Sequence, residues 1–125
     1  MPALAPILAV DDSAPIREMI VSVLGPRGHP VVTAGNGREA LLRLRAAVQP
    51  YVVLLDVVMP LLDGIGLCQE IERDDELRDA GHRIILMSST VRFALPDIPP
   101  TAGQLAKPFT RRQLIAAVEA ARLPA

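Results

Sequence analysis

An α/β fold, doubly wound with a parallel sheet between two layers of helices, is predicted by three observations. Short apolar runs alternate with amphipathic stretches along the whole chain. The runs at 7–10, 51–55 and 84–87 are continuously apolar, as strands buried on both faces are. Strand starts at 7, 30, 51, 84 and 104 leave at least ten residues for each crossover, enough for parallel pairing.

The first strand, 7–10, ends abruptly in Asp11 and Asp12. A helix follows with Ile16, Met19, Ile20, Val23 and Leu24 on one face, Ser13 as its expected cap and Pro15 tolerated in its first turn. Gly25, Pro26, Arg27 and Gly28 stop it. Residues 30–34 read as a strand best placed at a sheet edge, because proline lacks a donor. Asn36 with Glu39 forms a capping box for a second helix, whose expected buried stripe is Leu41, Leu44 and Val48. The third strand, 51–55, is closed by Asp56, and a helix from about 63 to 74 buries Ile65, Leu67 or Cys68, and Ile71. Residues 84–87 form the fourth strand and 104–106 a short fifth. Thr110 and Gln113 box the start of a last helix that turns Leu114, Ile115 and Val118 inward.

At 125 residues, half of them apolar, the chain has the size and core of one domain, 1–125. It shows no repeat or linker, and no output domain is expected. Lys and Arg number 13 against 14 Asp and Glu, which argues against a general polyanion binder. The three aromatics, Tyr51, Phe93 and Phe109, are too few for a nucleic-acid stacking platform. A single cysteine, Cys68, excludes an intramolecular disulfide and a multi-cysteine zinc site. No run approaches a membrane span, and residues 1–10 lack a basic n-region, so a cytoplasmic domain without membrane or nucleic-acid partners is expected.

Ligands of open parallel sheets sit outside the carboxyl ends of the strands. Asp11 and Asp12 follow strand one, Asp56 strand three, Ser88 strand four and Lys107 strand five. Each alone has a bland reading as a cap, loop or solvated residue. Together they place three carboxylates, a hydroxyl and an ammonium at one edge. Crowded carboxylates raise one another's pKa, and a hard cation with all-oxygen ligands, Mg²⁺ by preference, relieves that cost. Such a cation suits an Asp nucleophile that takes up a phosphoryl group, with Lys107 and Ser88 serving the remaining phosphoryl oxygens.

The chain resembles a response-regulator receiver domain, the phosphoacceptor module of two-component signalling. The resemblance spans nearly the whole chain. It rests on Val10-Asp11-Asp12-Ser13, Ala34-Gly35-Asn36-Gly37-Arg38-Glu39-Ala40-Leu41, Leu54-Leu55-Asp56-Val57-Val58-Met59-Pro60, Asp63-Gly64, Met87-Ser88-Ser89 and Lys107-Pro108-Phe109. It implies a CheY-like, flavodoxin-like strand order of 2-1-3-4-5 and phosphorelay function. Asp56 is then the phosphoacceptor, Asp12 a direct Mg²⁺ ligand, Asp11 an acidic partner acting mainly through water, and the Val58 backbone carbonyl a third ligand. Ser88 matches the switch hydroxyl, and Lys107 the phosphate-contacting lysine, with Pro108 in the position of a cis proline. The implied donor is a sensor histidine kinase or a histidine phosphotransfer protein. An unspecified downstream protein, a monomer or weak homodimer, and no enzymatic activity beyond slow self-dephosphorylation complete the expectation. His29, His82 and Cys68 are read as structural, and Asp63 with Gly64 as shaping a loop and capping the third helix.

Two departures stand out. Gln104 occupies the place of the usual switch aromatic, and Pro96, Pro99 and Pro100 confine a fourth helix to about 89–95, so it is short or irregular. These departures favour a rival reading, a phosphorylation-independent interaction module with the receiver fold. The five retained site residues favour phosphate acceptance. An aspartate-nucleophile phosphatase fits less well, because Val58 stands where its acid/base carboxylate would be.

Overall fold

A computed structural model describes residues 4–89 and 103–122. Five parallel strands, β1 (Ile7–Val10), β2 (Val31–Ala34), β3 (Val52–Asp56), β4 (Arg83–Ser88) and β5 (Gly103–Ala106), form one sheet ordered β2-β1-β3-β4-β5. This is the strand order expected. The register sets Asp56 beside Met87 and Ser88 beside Ala106, so the polar strand ends lie along one edge.

Alternation along the buried strands divides the core in two. Ile7, Ala9, Val52, Leu54, Ile85 and Met87 point to one face. There α1 (Ala14–Leu24) buries Ile20 and Leu24, and α5 (Arg111–Arg122) buries Leu114 and Val118. Leu8, Val10, Val53, Leu55, Ile84 and Leu86 point to the other. That face is covered by α2 (Gly37–Arg45), α3 (Gly64–Arg73) and a short α4 (Asp75–Asp79). Removing so much apolar surface from water is the main force holding the layers together.

The expected capping box at Thr110 forms in full; at Asn36 the cap bond forms, while Glu39 Oε2 takes the Gly35 amide in place of that of Asn36. Asn36 Oδ1 accepts from the Glu39 amide at 2.9 Å, and Thr110 and Gln113 exchange bonds of 2.8 and 3.1 Å. Three further expectations need correction. Val48 is 98 % exposed, because α2 ends at Arg45, and Ala40 joins Leu44 on the buried side instead. The Ser13 side chain makes no capping bond; its backbone N–H instead donates to Asp11 Oδ1 at 2.9 Å. The third helix is followed by a second one. Asp74 ends α3 and its carboxylate accepts from the Glu76 and Leu77 amides, starting α4, which buries Leu77. The helix expected at 89–95 lies outside the described residues except for Ser89, as do Pro96, Pro99 and Pro100.

Candidate functional site

The end of β1 passes directly into the site. Asp11 is fully buried and every acceptor on it is engaged. Oδ1 takes the Ser13 amide, Oδ2 takes Lys107 Nζ at 2.6 Å, and its carbonyl takes Arg17 Nη1 at 2.6 Å. Asp12, one residue on, is exposed. β3 delivers Asp56, buried, with Oδ1 3.4 Å from both Lys107 Nζ and the Val58 amide. Oxygen atoms of Asp11, Asp12 and Asp56 all lie within 4.8 Å of one another. The donor set is three hard carboxylates with one of them facing solvent, and it fits Mg²⁺ with retained waters.

Lys107 reaches this cluster from beyond β5. Its amide donates to the Ser88 carbonyl at 2.7 Å, and its peptide bond to Pro108 is cis, as the resemblance implied. Ser88 is buried at the end of β4 beside this anchor. Gln104 lies exposed on β5.

The charges shape one another. Burial and the negative charge of Asp11 push the Asp56 carboxyl above its usual range, against the lowering effects of Lys107 and the Val58 amide. Burial alone would lower the Lys107 ammonium, but its hydrogen bond and attraction to Asp11, joined by Asp56, raise it overall. The lysine therefore stays charged between two carboxylates. By contrast, burial pushes the Cys68 thiol up to about 11, and Cys68 sits in the core. His29 and His82 lie at the opposite edge of the sheet, each hydrogen-bonded to backbone.

All the expected residues thus gather at one edge, together with Val58, which is 72 % exposed. The motif reading missed two groups that fix this edge. Arg17 clasps the Asp11 carbonyl from α1, and Leu62 accepts a 3.1 Å bond from the Gly37 amide of α2. Spacing after Asp11 offers a weak signal for Arg17. Nothing local signals a contact between residues 37 and 62. Asp63 does cap α3, accepting from the Gly66 amide at 2.7 Å. Gly64 comes so close to the Asp56 carbonyl oxygen that any Cβ there would overlap it.

Known structures share this fold. CheY4 of Vibrio cholerae superposes with a TM-score of 0.80 at 29 % identity, over 95 % of this chain and 99 % of that one. TrrA of Thermotoga maritima, solved in complex with Mg²⁺ and BeF, superposes with a TM-score of 0.78 at 28 % identity, over 93 % and 97 %. The DNA-binding response regulator MtrA of Mycolicibacterium paratuberculosis is 32 % identical over 117 residues, 91 % of this chain and 49 % of its own. The probable transcriptional regulator ycf27 of Pyropia yezoensis is 48 % identical over 71 residues, 57 % of this chain and 29 % of its own. The chain thus spans half or less of these curated relatives. The family model for the response regulator receiver domain matches residues 7–119, and with the sheet order and the acidic edge in agreement, the chain belongs to that family.

Proposed function

We propose that this receiver domain accepts a phosphoryl group on Asp56 and acts as a signalling switch or phosphorelay shuttle. The observation that carries the reading is the setting of Asp56. Its carboxylate lies 3.4 Å from the Lys107 ammonium and has oxygens of Asp11 and Asp12 within 4.8 Å. An Asp56 oxygen attacks phosphorus, the P–N bond of a donor phosphohistidine breaks, and the imidazole leaves with the bonding electron pair and takes up a proton. Lys107 neutralises charge on the phosphoryl oxygens, and the Ser88 hydroxyl donates to another of them.

Mg²⁺ would be held by Asp12, Asp56 and the Val58 carbonyl, with Asp11 acting through water, and would supply the positive charge that draws the acceptor and phosphoryl oxygens together. Asp11 suits an indirect role, because both its carboxylate oxygens already accept hydrogen bonds. Lys107 holds Asp11 and Asp56 in place before a donor arrives. The donor is a sensor histidine kinase or a histidine phosphotransfer protein, and the domain itself turns over no substrate beyond slow loss of its own phosphoryl group.

Incubation with acetyl phosphate and Mg²⁺ tests the reading. The wild type should gain one acid-stable, base-labile phosphoryl group, and Asp56→Asn should gain none. Undiminished labelling of Asp56→Asn would overturn it.

A further inference from the structure

The loop between β3 and α3 carries Val58 and follows the acceptor directly, yet little of it is secondary structure. Besides the Val58 amide on Asp56 and the buried Met59 side chain, three backbone hydrogen bonds hold it. The Val57 amide donates to the Met87 carbonyl, and the Gly64 amide donates back to the Val57 carbonyl, both at 3.0 Å. The third bond lies outside β3, β4 and α3. Leu62 gives its carbonyl to the Gly37 amide, the first residue of α2, and packs its partly buried side chain on the core.

The fit at this third point leaves no space. A Cβ on Gly37 would overlap the Leu62 carbonyl oxygen and stand 2.8 Å from Leu62 Cβ. On the other side of Leu62, a Cβ on Gly66 would meet Leu62 Cδ1 at 2.8 Å. Between these pins Leu61 is 72 % exposed and sits at φ 68°, a left-handed conformation costly for a leucine. Such a conformation persists only where its surroundings over-determine it. The first turn of α2 is itself fixed. Asn36 caps it, and Glu39 Oε2 accepts from the Gly35 amide at 3.1 Å.

From this geometry we propose that α2, which contributes no group to the acidic site, braces the acceptor loop, and that Gly37 is a positioning residue for phosphoryl acceptance at Asp56. The proposal rests on the phosphoacceptor reading above. Gly37 acts through Leu62, by fixing the path of 57–63 and with it the Val58 carbonyl.

Gly37→Ala separates the brace from helix stability. Alanine is the better helix former, so local preference alone would leave the fold as stable or stabilise it. The brace instead requires the loop to move. Acetyl phosphate labelling of Gly37→Ala should slow by about ten- to a hundred-fold, since misplacing reacting groups by an ångström costs that much. Its Mg²⁺ affinity, followed by amide chemical shifts, should weaken, and hydrogen exchange at 58–62 should quicken. Leu44→Val, a modest core change at the far end of α2, should leave labelling and loop exchange as in the wild type. Leu62→Ala keeps the carbonyl and Cβ that meet Gly37 but removes the side-chain packing that seats this point of the loop, and should repeat the loop phenotype if Gly37→Ala folds poorly. Wild-type loop exchange and Mg²⁺ affinity in both Gly37→Ala and Leu62→Ala would overturn the brace. A wild type that takes no phosphate would defeat the phosphoacceptor reading, while loop exchange and Mg²⁺ titration would still decide the brace.

Discussion

At the carboxyl edge of the sheet Lys107 pairs with both Asp11 and Asp56, whereas at the amino edge His29 and His82 bond to the backbone. His29 Nδ1 lies 2.9 Å from the Ala5 carbonyl, and His82 Nδ1 accepts from the Tyr51 amide at 2.9 Å while its ring stacks on Tyr51. His82 Nε2 and Arg83 Nε are buried there with no hydrogen-bond partner among the described residues. Both edges hold buried polar groups. Only at the carboxyl edge are they mutually charged, close together and open to solvent through one member, Asp12. Imidazoles tied to backbone finish strand starts; carboxylates that crowd one another create a demand for a cation and an electrophile.

Removing the ammonium is expected to disturb the first edge most. Lys107→Ala leaves Asp11 buried without its counter-charge, a change that costs about 3 kcal/mol when a buried pair is broken. Urea unfolding in Mg²⁺-free buffer should show this loss, and acetyl phosphate labelling should fall with it. Unchanged stability would mean that Asp11 is adequately held by the Ser13 amide alone.

Next in size is the cation's own contribution. Mg²⁺ at ten times its Kd should stabilise the wild type by about 1.4 kcal/mol through linkage. Asp12→Asn should lose most of that gain while unfolding normally without Mg²⁺, because Asp12 is exposed. Equal Mg²⁺-induced melting shifts in the two proteins would remove Asp12 from the ligand set.

The smallest effect belongs to the amino edge. Burial lowers the His82 pKa below 6.5, so the fold prefers the neutral ring that accepts from Tyr51. Stability from this group is complete above pH 6.5 and is lost as pH falls through the lower folded value. His82→Gln keeps an acceptor but cannot titrate. Unfolding free energies of the two proteins should diverge with falling pH below 6.5, the wild type losing more; parallel curves would show that the ring is solvated in the fold.

Much of this was legible from the sequence, for physical reasons that differ by element. The strands announce themselves because burial on both faces demands uninterrupted apolar runs. Caps are local chemistry, so Asn36 with Glu39 and Thr110 with Gln113 could be read directly. Asp11, Asp56, Ser88 and Lys107 were legible because each ends a strand. α4 was not, since its run of charges hides a single buried anchor, Leu77. Val48 misled because the helical period continues in sequence after the backbone has left the helix. The contact of Gly37 with Leu62 is tertiary, and no window along the chain contains both halves.

The bond between Lys107 and Asp11 joins residues 96 positions apart, from strands that lie at opposite sides of β3 and β4. In a flat sheet those strands would stand roughly 14 Å apart, three strand spacings. The bond can close only when every intervening strand has docked. During biosynthesis, a chain whose final strand is still in the ribosome therefore holds Asp11 and Asp56 without the lysine beside them. The bond is thus a mark of completed assembly, formed only in a chain whose five strands are all in place.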